Sequence, residues 1–335
     1  MADPILIVGA GLTGCTLADR LAAAGRSVWI IDQRPHIAGM AYDAYDAAGI
    51  LVHRYGPHIF HTNSTKVWTY LSRFTTWRPY EHRVLACVDG QLVPVPINRT
   101  TLARLGCSLE EAQARIFEPY TRKQWGPTGV DRSVWARVAP RVDSDDDRYF
   151  LDTYQAMPSE GYTVLAHRML ASPLIRVSLH TRWEDVRAEW GARPLVFTGP
   201  IDAYFGQSEG PLPYRSTRLR WETWEIQQFQ PVACINYPDE SVPFTRVTEY
   251  THLTGQRHAC TTVSYEHTDA TGEPTHPVPK PEHRTLYERY AALARRVAPQ
   301  VTFAGRLGTY KYLDMDQCVG QALGLADRLT QGVAA

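Results

Sequence analysis

The apolar and polar positions at the start of the chain predict a strand, a helix and a second strand. Residues 5–8 are a short apolar run, as expected of a strand that is buried on both faces of a parallel sheet. Residues 15–24 place leucine and alanine on one helical face and stop at a glycine. A second apolar run, 27–31, ends at Asp32. The pattern therefore predicts a β-α-β unit.

Later patterns predict that the chain returns to this unit and also forms a different kind of sheet. Apolar runs at 195–199 and 301–305 each end at a glycine, and residues 317–329 have the pattern of a helix. Residues 214–267 alternate apolar and polar side chains and are rich in Thr, Val and Tyr, which predicts antiparallel strands. The antiparallel sheet as a whole is expected to have about six strands. Residues 108–118 form one clear helical pattern, with acidic residues in its first turn.

Composition excludes several classes of protein. The 335 residues carry a formal net charge of +0, which offers no electrostatic basis for binding nucleic acid. No apolar run has the length of a membrane span. The first strand begins near Ile5 and leaves no room for a cleavable leader, so we expect a cytoplasmic protein. Six scattered cysteines without a C-x-x-C pair indicate free thiols and no metal site.

A dinucleotide fingerprint lies between the first strand and the first helix. The segment 9–14 reads Gly-Ala-Gly-Leu-Thr-Gly, and Asp32 follows Gly14 by 18 residues. Glycines permit the tight turn and the approach of a pyrophosphate to the helix N-terminus, and an acid at this spacing binds a ribose hydroxyl. The alternative is a glycine-rich turn in an α/β fold without a ligand. The next segment places Arg34 before Gly39, which is typical of FAD-binding folds, although Arg34 could instead face water.

Motifs distributed over nearly the whole chain resemble the UDP-galactopyranose mutase family. Besides the fingerprint, they are Arg34-x-His36-Ile37-x-Gly39, Gly56-Pro57-His58-Ile59-Phe60-His61-Thr62-Asn63, Pro94-x-Pro96-Ile97-Asn98, Tyr120-Thr121-x-Lys123-Gln124-Trp125-Gly126, Arg137-x3-Arg141, Tyr154-Gln155-x2-Pro158, Thr198-Gly199-Pro200-Ile201-Asp202, Pro243-x-Thr245-Arg246, and Gly305-Arg306-Leu307 with Tyr310-Lys311-Tyr312-x-Asp314-Met315. Such ordered motifs are far more specific than any one of them.

The resemblance implies a flavin-dependent isomerase that interconverts the pyranose and furanose forms of a nucleoside-diphosphate sugar similar to UDP-galactose. In this family N5 of reduced FAD attacks the anomeric carbon and displaces the nucleoside diphosphate, without net redox change. The resemblance assigns cofactor binding to a set of residues spread along the chain. They are Gly9, Gly11, Leu12, Thr13, Gly14, Asp32, Gln33, Arg34, Gly39, Met40, His58, Ile59, Arg306, Asp314 and Met315.

The same resemblance assigns the catalytic and substrate contacts. His58 matches a histidine beside the flavin ring, and Arg141 and Arg306 match two arginines that clamp the diphosphate. Tyr120 and Trp125 match aromatics at the nucleobase end. The full set of substrate contacts is His82, Tyr120, Thr121, Trp125, Arg141, Tyr154, Asn236, Arg246, Arg306 and Tyr312. Residues 125–141 are expected to form a mobile lid that carries Arg141 inward.

Three departures from the family pattern bear on these assignments. Ala38 and Met40 stand where the family has glycine and asparagine, and Ala38 is expected to require an ordinary φ. Thr275 and His276 replace paired tyrosines, so one diphosphate or sugar contact is lost or supplied by His276. Only 21 residues separate Asn98 from Tyr120, where bacterial relatives have a longer helical dimer interface. The oligomeric state therefore stays open.

The expected fold is α/β, with a discontinuous Rossmann-like FAD-binding domain, an antiparallel sheet domain and a reduced helical domain. Residues 1–76, 158–212 and 282–335 are assigned to the FAD domain. Residues 99–147 are assigned to the helical domain, and 77–98, 148–157 and 213–281 to the sheet domain that binds substrate. Four aspartates between 143 and 147 are interpreted as a solvated turn rather than a metal site.

Two other functions fit parts of the sequence. The fingerprint is also found in FAD-dependent oxidoreductases of the amine-oxidase type, which consume electrons from the substrate. The departures at Ala38, Met40 and 275–276 would suit a non-catalytic FAD or nucleotide binder. The paired arginines and aromatics favour the mutase.

Overall fold

The computed structural model describes residues 3–126 and 138–331. Its N-terminus is the predicted β-α-β unit, formed by β1 (Ile5–Val8), α1 (Leu12–Ala23) and β2 (Val28–Ile31). In the described part of the chain, five strands form a wholly parallel sheet in the order β10-β2-β1-β11-β17. The additional strands are β10 (Ile175–Ser178), β11 (Leu195–Phe197) and β17 (Val301–Phe303). They come from distant parts of the sequence, so this Rossmann-like unit is discontinuous, as predicted.

The parallel sheet is covered on both faces, which explains its apolar strands. Ile7 and Ile30 point into one buried cluster with α1, whereas Leu6 and Ile31 point into a second cluster with Trp183. Successive side chains of a strand alternate between faces, so a strand buried on both sides must be apolar throughout.

Helices and short strands surround this sheet. The helices in chain order are α2 (Thr65–Leu71), α3 (Arg99–Leu105), α4 (Leu109–Trp125), α5 (Tyr162–Met169), α6 (Trp183–Trp190), α7 (Ile201–Tyr204), α8 (Tyr250–Thr254), α9 (Pro281–Val297), α10 (Gly305–Gly308) and α11 (Met315–Thr330). The strands of the small sheets are β3 (Asp43–Tyr45), β4 (Leu51–His53), β5 (Phe60–Thr62), β6 (Trp77–Pro79) and β9 (Tyr154–Pro158). No helix in the described ranges is both long and apolar enough to span a membrane.

A second large sheet supplies one wall of the site. Within the described residues it has seven strands in the order β16-β12-β15-β14-β13-β7-β8. They are β7 (Val84–Val88), β8 (Gln91–Val95), β12 (Tyr214–Trp224), β13 (Cys234–Asn236), β14 (Arg246–Glu249), β15 (Thr261–Asp269) and β16 (His276–Pro277). The neighbouring strands are antiparallel except for β13 and β7, which run parallel. β9 does not join this sheet but pairs with β5 and β6.

Helix α4 extends well beyond the helix expected over 108–118. Ser108 caps its N-terminus, but the helix continues past Pro119 to Trp125. The ammonium of Lys123 donates to the carbonyl oxygens of Tyr237, Asp239 and Phe244 at 2.6, 2.9 and 2.7 Å. These contacts fix the last turn against the large sheet. Tertiary hydrogen bonds therefore outweigh the local cost of a proline in a helix.

The backbone of Ala38 differs from the sequence-based expectation. Its φ is +68° and its ψ is −5°, so this buried alanine is left-handed and does not adopt an ordinary φ. The loop is held there because Ala38 forms an isolated bridge to Gly11 of the fingerprint. A left-handed conformation costs an L-residue roughly 1–2 kcal/mol.

We expect Ala38→Gly to raise the free energy of unfolding by about 0.5–1 kcal/mol, because relief of strain exceeds the added entropy of the unfolded chain. Urea unfolding of the two proteins measures the difference. As a control, Ala188→Gly, at an exposed position of α6, should lower the same quantity by about 1 kcal/mol. Equal destabilisation by the two substitutions would show that φ at Ala38 is unstrained.

Candidate active site

A cavity of about 390 Å³ opens at the carboxyl ends of β1, β2 and β11. Ligands of open parallel sheets bind at this edge. Many of the residues predicted to bind the cofactor line it: Gly9, Gly11, Leu12, Thr13, Asp32, Gln33, Arg34, Gly39, Met40, His58, Arg306 and Met315. We call this space the cofactor cavity. Ile59 and Asp314 line a neighbouring cavity instead. Gly14 is buried within α1 and is not part of the cavity lining.

Two glycines allow the wall of the cofactor cavity to form. A Cβ on Gly14 would lie 2.0 Å from the carbonyl oxygen of Gly9, so only glycine lets α1 pack against the turn. Gly39 has φ +56°, and a Cβ there would lie 2.8 Å from the Cα of Gly11. The first turn of α1 carries neither a side-chain cap nor an acidic residue. Its free N–H groups therefore suit a pyrophosphate, and the cradle fits a dinucleotide such as FAD.

Asp32 is buried where the ribose of a dinucleotide is expected. Its Oδ2 accepts from the N–H of Ala10 at 2.8 Å and its Oδ1 from the N–H of Arg34 at 2.9 Å. Each carboxylate oxygen retains capacity to accept from a ribose hydroxyl. The guanidinium of Arg34 does not face water alone, because it pairs with Glu273 at 2.5 Å.

Several residues of the cofactor cavity were not found by sequence reasoning. One side is formed by residues 181–184, which include the buried Trp183, and another by residues 273–275. These segments carry no fingerprint and reach the cavity only through the fold. The loop before α6 is placed by hydrogen bonds from its backbone N–H groups to the carbonyls of Asp32 and Arg34.

A second cavity of about 210 Å³ adjoins the first. We call it the substrate cavity. Met40, His58, Thr275, Arg306 and Met315 line both cavities and form their common wall. The substrate cavity is also lined by polar and aromatic side chains of the large sheet and its neighbours: Tyr55, His61, His82, Gln124, Tyr149, Phe150, Asn236, Arg246, Glu266, His276, Tyr312 and Asp314. A molecule bound in this second cavity would lie directly beside one bound in the first.

His58 is held rigidly at the common wall. Its backbone N–H donates to Nδ1 of His53 at 3.0 Å, and its carbonyl accepts from the hydroxyl of Tyr162 at 3.2 Å. Its ring Nδ1 lies 2.8 Å from the carbonyl oxygen of Gly56 and so carries the proton. Burial, together with the neighbouring His53, lowers the pKa of His58 to about 3. The ring is therefore neutral at physiological pH and leaves Nε2 as an acceptor.

Arg306 is fixed at the same wall by backbone acceptors. Its Nε donates to the carbonyl of Leu313 at 2.9 Å, and a terminal nitrogen lies 3.5 Å from the carbonyl of Thr275. The guanidinium carbon lies 5.5 Å from the ring centroid of Tyr312. These neutral partners leave the cation without a carboxylate partner among the described residues. An anion in the substrate cavity would meet an oriented positive charge.

The remaining predicted substrate residues fall into two groups. His82, Asn236, Arg246 and Tyr312 line the substrate cavity. The others lie beside it: the hydroxyl of Tyr120 accepts from Arg246 at 3.0 Å, Trp125 contacts the edge of Tyr312 with centroids 6.1 Å apart, and Thr121 lies on α4 between them. Tyr154 stacks on Trp68 at 4.8 Å, outside the cavity lining.

Arg141 lies apart from the cavity lining. Its guanidinium donates to the carbonyls of Arg148 and Tyr149 at 2.5 and 3.1 Å, and Tyr149 itself lines the cavity. Most of the predicted lid, residues 127–137, is outside the described residues. The acidic turn beyond Arg141 is occupied by arginine partners, with Asp147 at 2.8 Å from Arg83 and Asp146 bonded to Arg148.

Comparison with known proteins places the chain among sugar-nucleotide mutases. A family model for UDP-galactopyranose mutase matches residues 115–312, and one for the NAD(P)-binding Rossmann-like domain matches residues 7–74. The chain is 35% identical to a probable UDP-galactopyranose mutase of Klebsiella pneumoniae, over 98% of this chain and 95% of that protein. It is 32% identical to the dTDP-fucopyranose mutase of Escherichia coli, over 97% of both.

Solved structures share the fold. A crystal structure of reduced UDP-galactopyranose mutase superposes with a TM-score of 0.79 at 16% identity, covering 100% of this chain and 95% of the other. A putrescine oxidase variant superposes with a TM-score of 0.55 at 14% identity, over 98% and 99% of the two chains. The resemblance inferred from the motifs is confirmed, and the chain belongs to the UDP-galactopyranose mutase family.

Proposed function

We propose that this protein interconverts the pyranose and furanose forms of a nucleoside-diphosphate sugar similar to UDP-galactose, with reduced FAD as cofactor. The observation that carries the proposal is the common wall of the two cavities, where His58 and Arg306 face both. This arrangement supports a reaction in which a cofactor and an anionic substrate meet at one point. One relative is named as a mutase of UDP-galactopyranose and another as a mutase of dTDP-fucopyranose. Both names support a nucleoside-diphosphate sugar as the substrate.

The residues of the cofactor cavity fit FAD. Gly9, Gly11 and Thr13 would hold the pyrophosphate at the uncapped end of α1, and Asp32 would accept from the ribose. Met40 and Met315 line the common wall, where the ring system would lie. When bound in its reduced form, FAD supplies a nucleophilic N5 to the anomeric carbon of the sugar.

His58 would orient the reacting groups without exchanging a proton in the physiological range. Its low pKa keeps the ring neutral, and its Nε2 can accept from a polar N–H or O–H at the common wall. The hydrogen bonds from His58 to His53 and Gly56 hold this acceptor in place before substrate binds. Such preorganisation avoids a cost of reorientation during the reaction.

The arginines would bind and stabilise the diphosphate. Arg306 carries an oriented charge at the common wall, and Arg246 is a second cation in the same cavity. Among the described residues, the side chain of Arg141 donates to the neutral carbonyls of Arg148 and Tyr149, so a diphosphate would be a stronger acceptor for its planar fork. A leaving diphosphate gains negative charge as the glycosidic bond breaks, and fixed cations stabilise that charge most in the transition state.

Aromatic residues beside the cavity would bind the nucleobase. Tyr120 is fixed by Arg246, and Trp125 contacts the edge of Tyr312, so both rings would lie near a diphosphate bound by Arg246. Tyr312 would also donate its hydroxyl to a phosphate oxygen, and we assign the same role to Tyr154. Stacking of a base on an aromatic ring contributes about 1–3 kcal/mol and tolerates different bases.

A direct assay tests the proposal. The purified protein, loaded with FAD and reduced by dithionite, is incubated with UDP-, GDP- and TDP-hexoses, and the products are separated by chromatography. We expect conversion between pyranose and furanose forms with the reduced protein and none with the oxidised protein. Absence of conversion with every sugar nucleotide would contradict the proposal. Bleaching of the oxidised flavin by an amine would support the oxidoreductase alternative.

A further inference from the structure

Three polar residues on adjacent strands of the large sheet are aligned in one row across the sheet. Asn236 on β13 lies opposite Arg246 on β14, and Arg246 lies opposite Glu266 on β15. Residues directly opposite on adjacent strands share one face of a sheet. The row continues on either side with the apolar residues Ala86 and Leu219. The polar part of the row therefore coincides with the floor of the substrate cavity, which all three residues line.

The side chain of Glu266 is the part of this row whose surroundings point to a ligand. It is only 6% exposed and lines the cavity, and its carboxylate accepts no hydrogen bond from any residue that the structure describes, although the charge of Arg246 attracts it. The adjacent Asn236 is 8% exposed, and its Oδ1 has no partner in the described part of the chain. Nε of Arg246 is also buried and has no hydrogen-bond partner among the described residues. The carboxylate of Glu266 faces the cavity with capacity to accept hydrogen bonds, so a ligand that donates to it would complete its surroundings.

The position of Glu266 indicates which part of a bound ligand it would contact. A Cβ placed on Gly56 would lie 3.7 Å from Oε2 of Glu266, so the carboxylate faces the loop that carries His58. It therefore lies toward the common wall and the reacting end of the site. A carboxylate repels a diphosphate, whereas it accepts strong hydrogen bonds from hydroxyl groups. The neutral, hydroxyl-bearing part of the substrate suits it best.

We propose that Glu266 accepts hydrogen bonds from hydroxyl groups of the sugar and thereby helps to determine which sugar the site takes. Asn236 lies on the other side of Arg246, two strands from Glu266, so Glu266 is the acceptor of this row that the proposal assigns to the sugar. The proposal rests on the proposed function, since it assumes a sugar nucleotide in the substrate cavity. Glu266 would act in binding and orientation and would exchange no proton with the substrate.

Binding of a nucleotide with and without its sugar tests the proposal. Affinities for UDP-galactose and for UDP are measured by calorimetry on the FAD-loaded protein and on Glu266→Gln and Glu266→Ala. We expect the affinity of Glu266→Ala for UDP-galactose to fall tenfold or more, as for loss of a charged hydrogen bond, while UDP binds within about twofold of wild type. The isosteric Gln variant should show a smaller loss and keeps the test valid if the Ala variant does not fold.

The control is Glu225→Gln, which changes an exposed carboxylate just after the end of β12 and should bind both ligands as wild type does. Equal weakening of UDP and UDP-galactose by the Glu266 variants would indicate a structural role and overturn the inference. Unchanged UDP-galactose affinity would overturn it as well. If wild type binds UDP-galactose but neither variant differs, only this inference fails. If wild type binds neither ligand, the same comparison is made with the GDP- and TDP-hexoses and their free nucleoside diphosphates, and the proposed function fails only if none of these sugar nucleotides binds.

Discussion

Replacing Arg306 with alanine is expected to reduce turnover by about 10²–10³-fold, since a charge-stabilising contact to a developing anion is worth about 3–4 kcal/mol. The guanidinium lies at the common wall and is oriented by the carbonyls of Leu313 and Thr275, which remain in place in the variant. Its loss removes a positive charge where the diphosphate departs. The rate is measured with dithionite-reduced protein, and bound FAD is quantified by absorbance.

Two further variants show whether the loss of turnover is specific to the charge and the planar guanidinium of Arg306. Arg296→Ala removes an exposed arginine from α9 and should retain wild-type turnover and FAD content. Arg306→Lys keeps the charge but loses the planar fork, so an intermediate rate is expected. Near-normal turnover of Arg306→Ala would show that the diphosphate is stabilised elsewhere, whereas loss of FAD from that variant would indicate a role in holding the cofactor.

Gly14→Ala is expected to destabilise the fold by about 1–3 kcal/mol and to weaken FAD binding at least tenfold, because it overpacks a rigid contact. The added Cβ would lie 2.0 Å from the carbonyl oxygen of Gly9 and 3.1 Å from its carbonyl carbon. Since these atoms belong to backbone, the fingerprint turn or α1 must move. Urea unfolding reports the stability, and release of flavin on dilution reports the affinity.

The matched control uses another glycine inside a helix. Gly324 lies in α11, and the nearest atom to its added Cβ is Nη1 of Arg328 at 3.9 Å. Gly324→Ala should therefore stabilise the protein by about 1 kcal/mol through helix propensity and leave FAD binding unchanged. If Gly14→Ala behaved like this control, α1 and the fingerprint turn would have room that the structure does not show.

The local patterns were sufficient for the N-terminal unit and for the family. Residues 5–32 contain an apolar strand, a glycine turn and an amphipathic helix in succession. Each has its own local pattern, so no distant contact is needed to predict them. The motifs around His58 and Arg306 also predicted residues that converge on one wall. Each motif is short and carries its own residue types, which is why it can be identified before the fold is known.

Other features depend on contacts between distant parts of the chain. Helix α4 continues past Pro119 because Lys123 bonds to a turn more than a hundred residues away. Ala38 is left-handed because it bridges to Gly11. Glu266 sits at one position of an alternating strand, and a strand pattern does not say which of its two faces meets a cavity.

By itself, then, the sequence determined the dinucleotide fold and the family, and 12 of its 15 predicted cofactor residues line the cofactor cavity, because these follow from short segments with their own geometry. Tertiary structure alone decided that two cavities share a wall, that Arg141 donates to backbone carbonyls, and that the buried Glu266 lines the substrate cavity without a hydrogen-bond partner for its carboxylate in the described residues. The physical reason is that burial and unsatisfied hydrogen bonds depend on what the rest of the chain brings to a residue, and strand register fixes those neighbours only after folding.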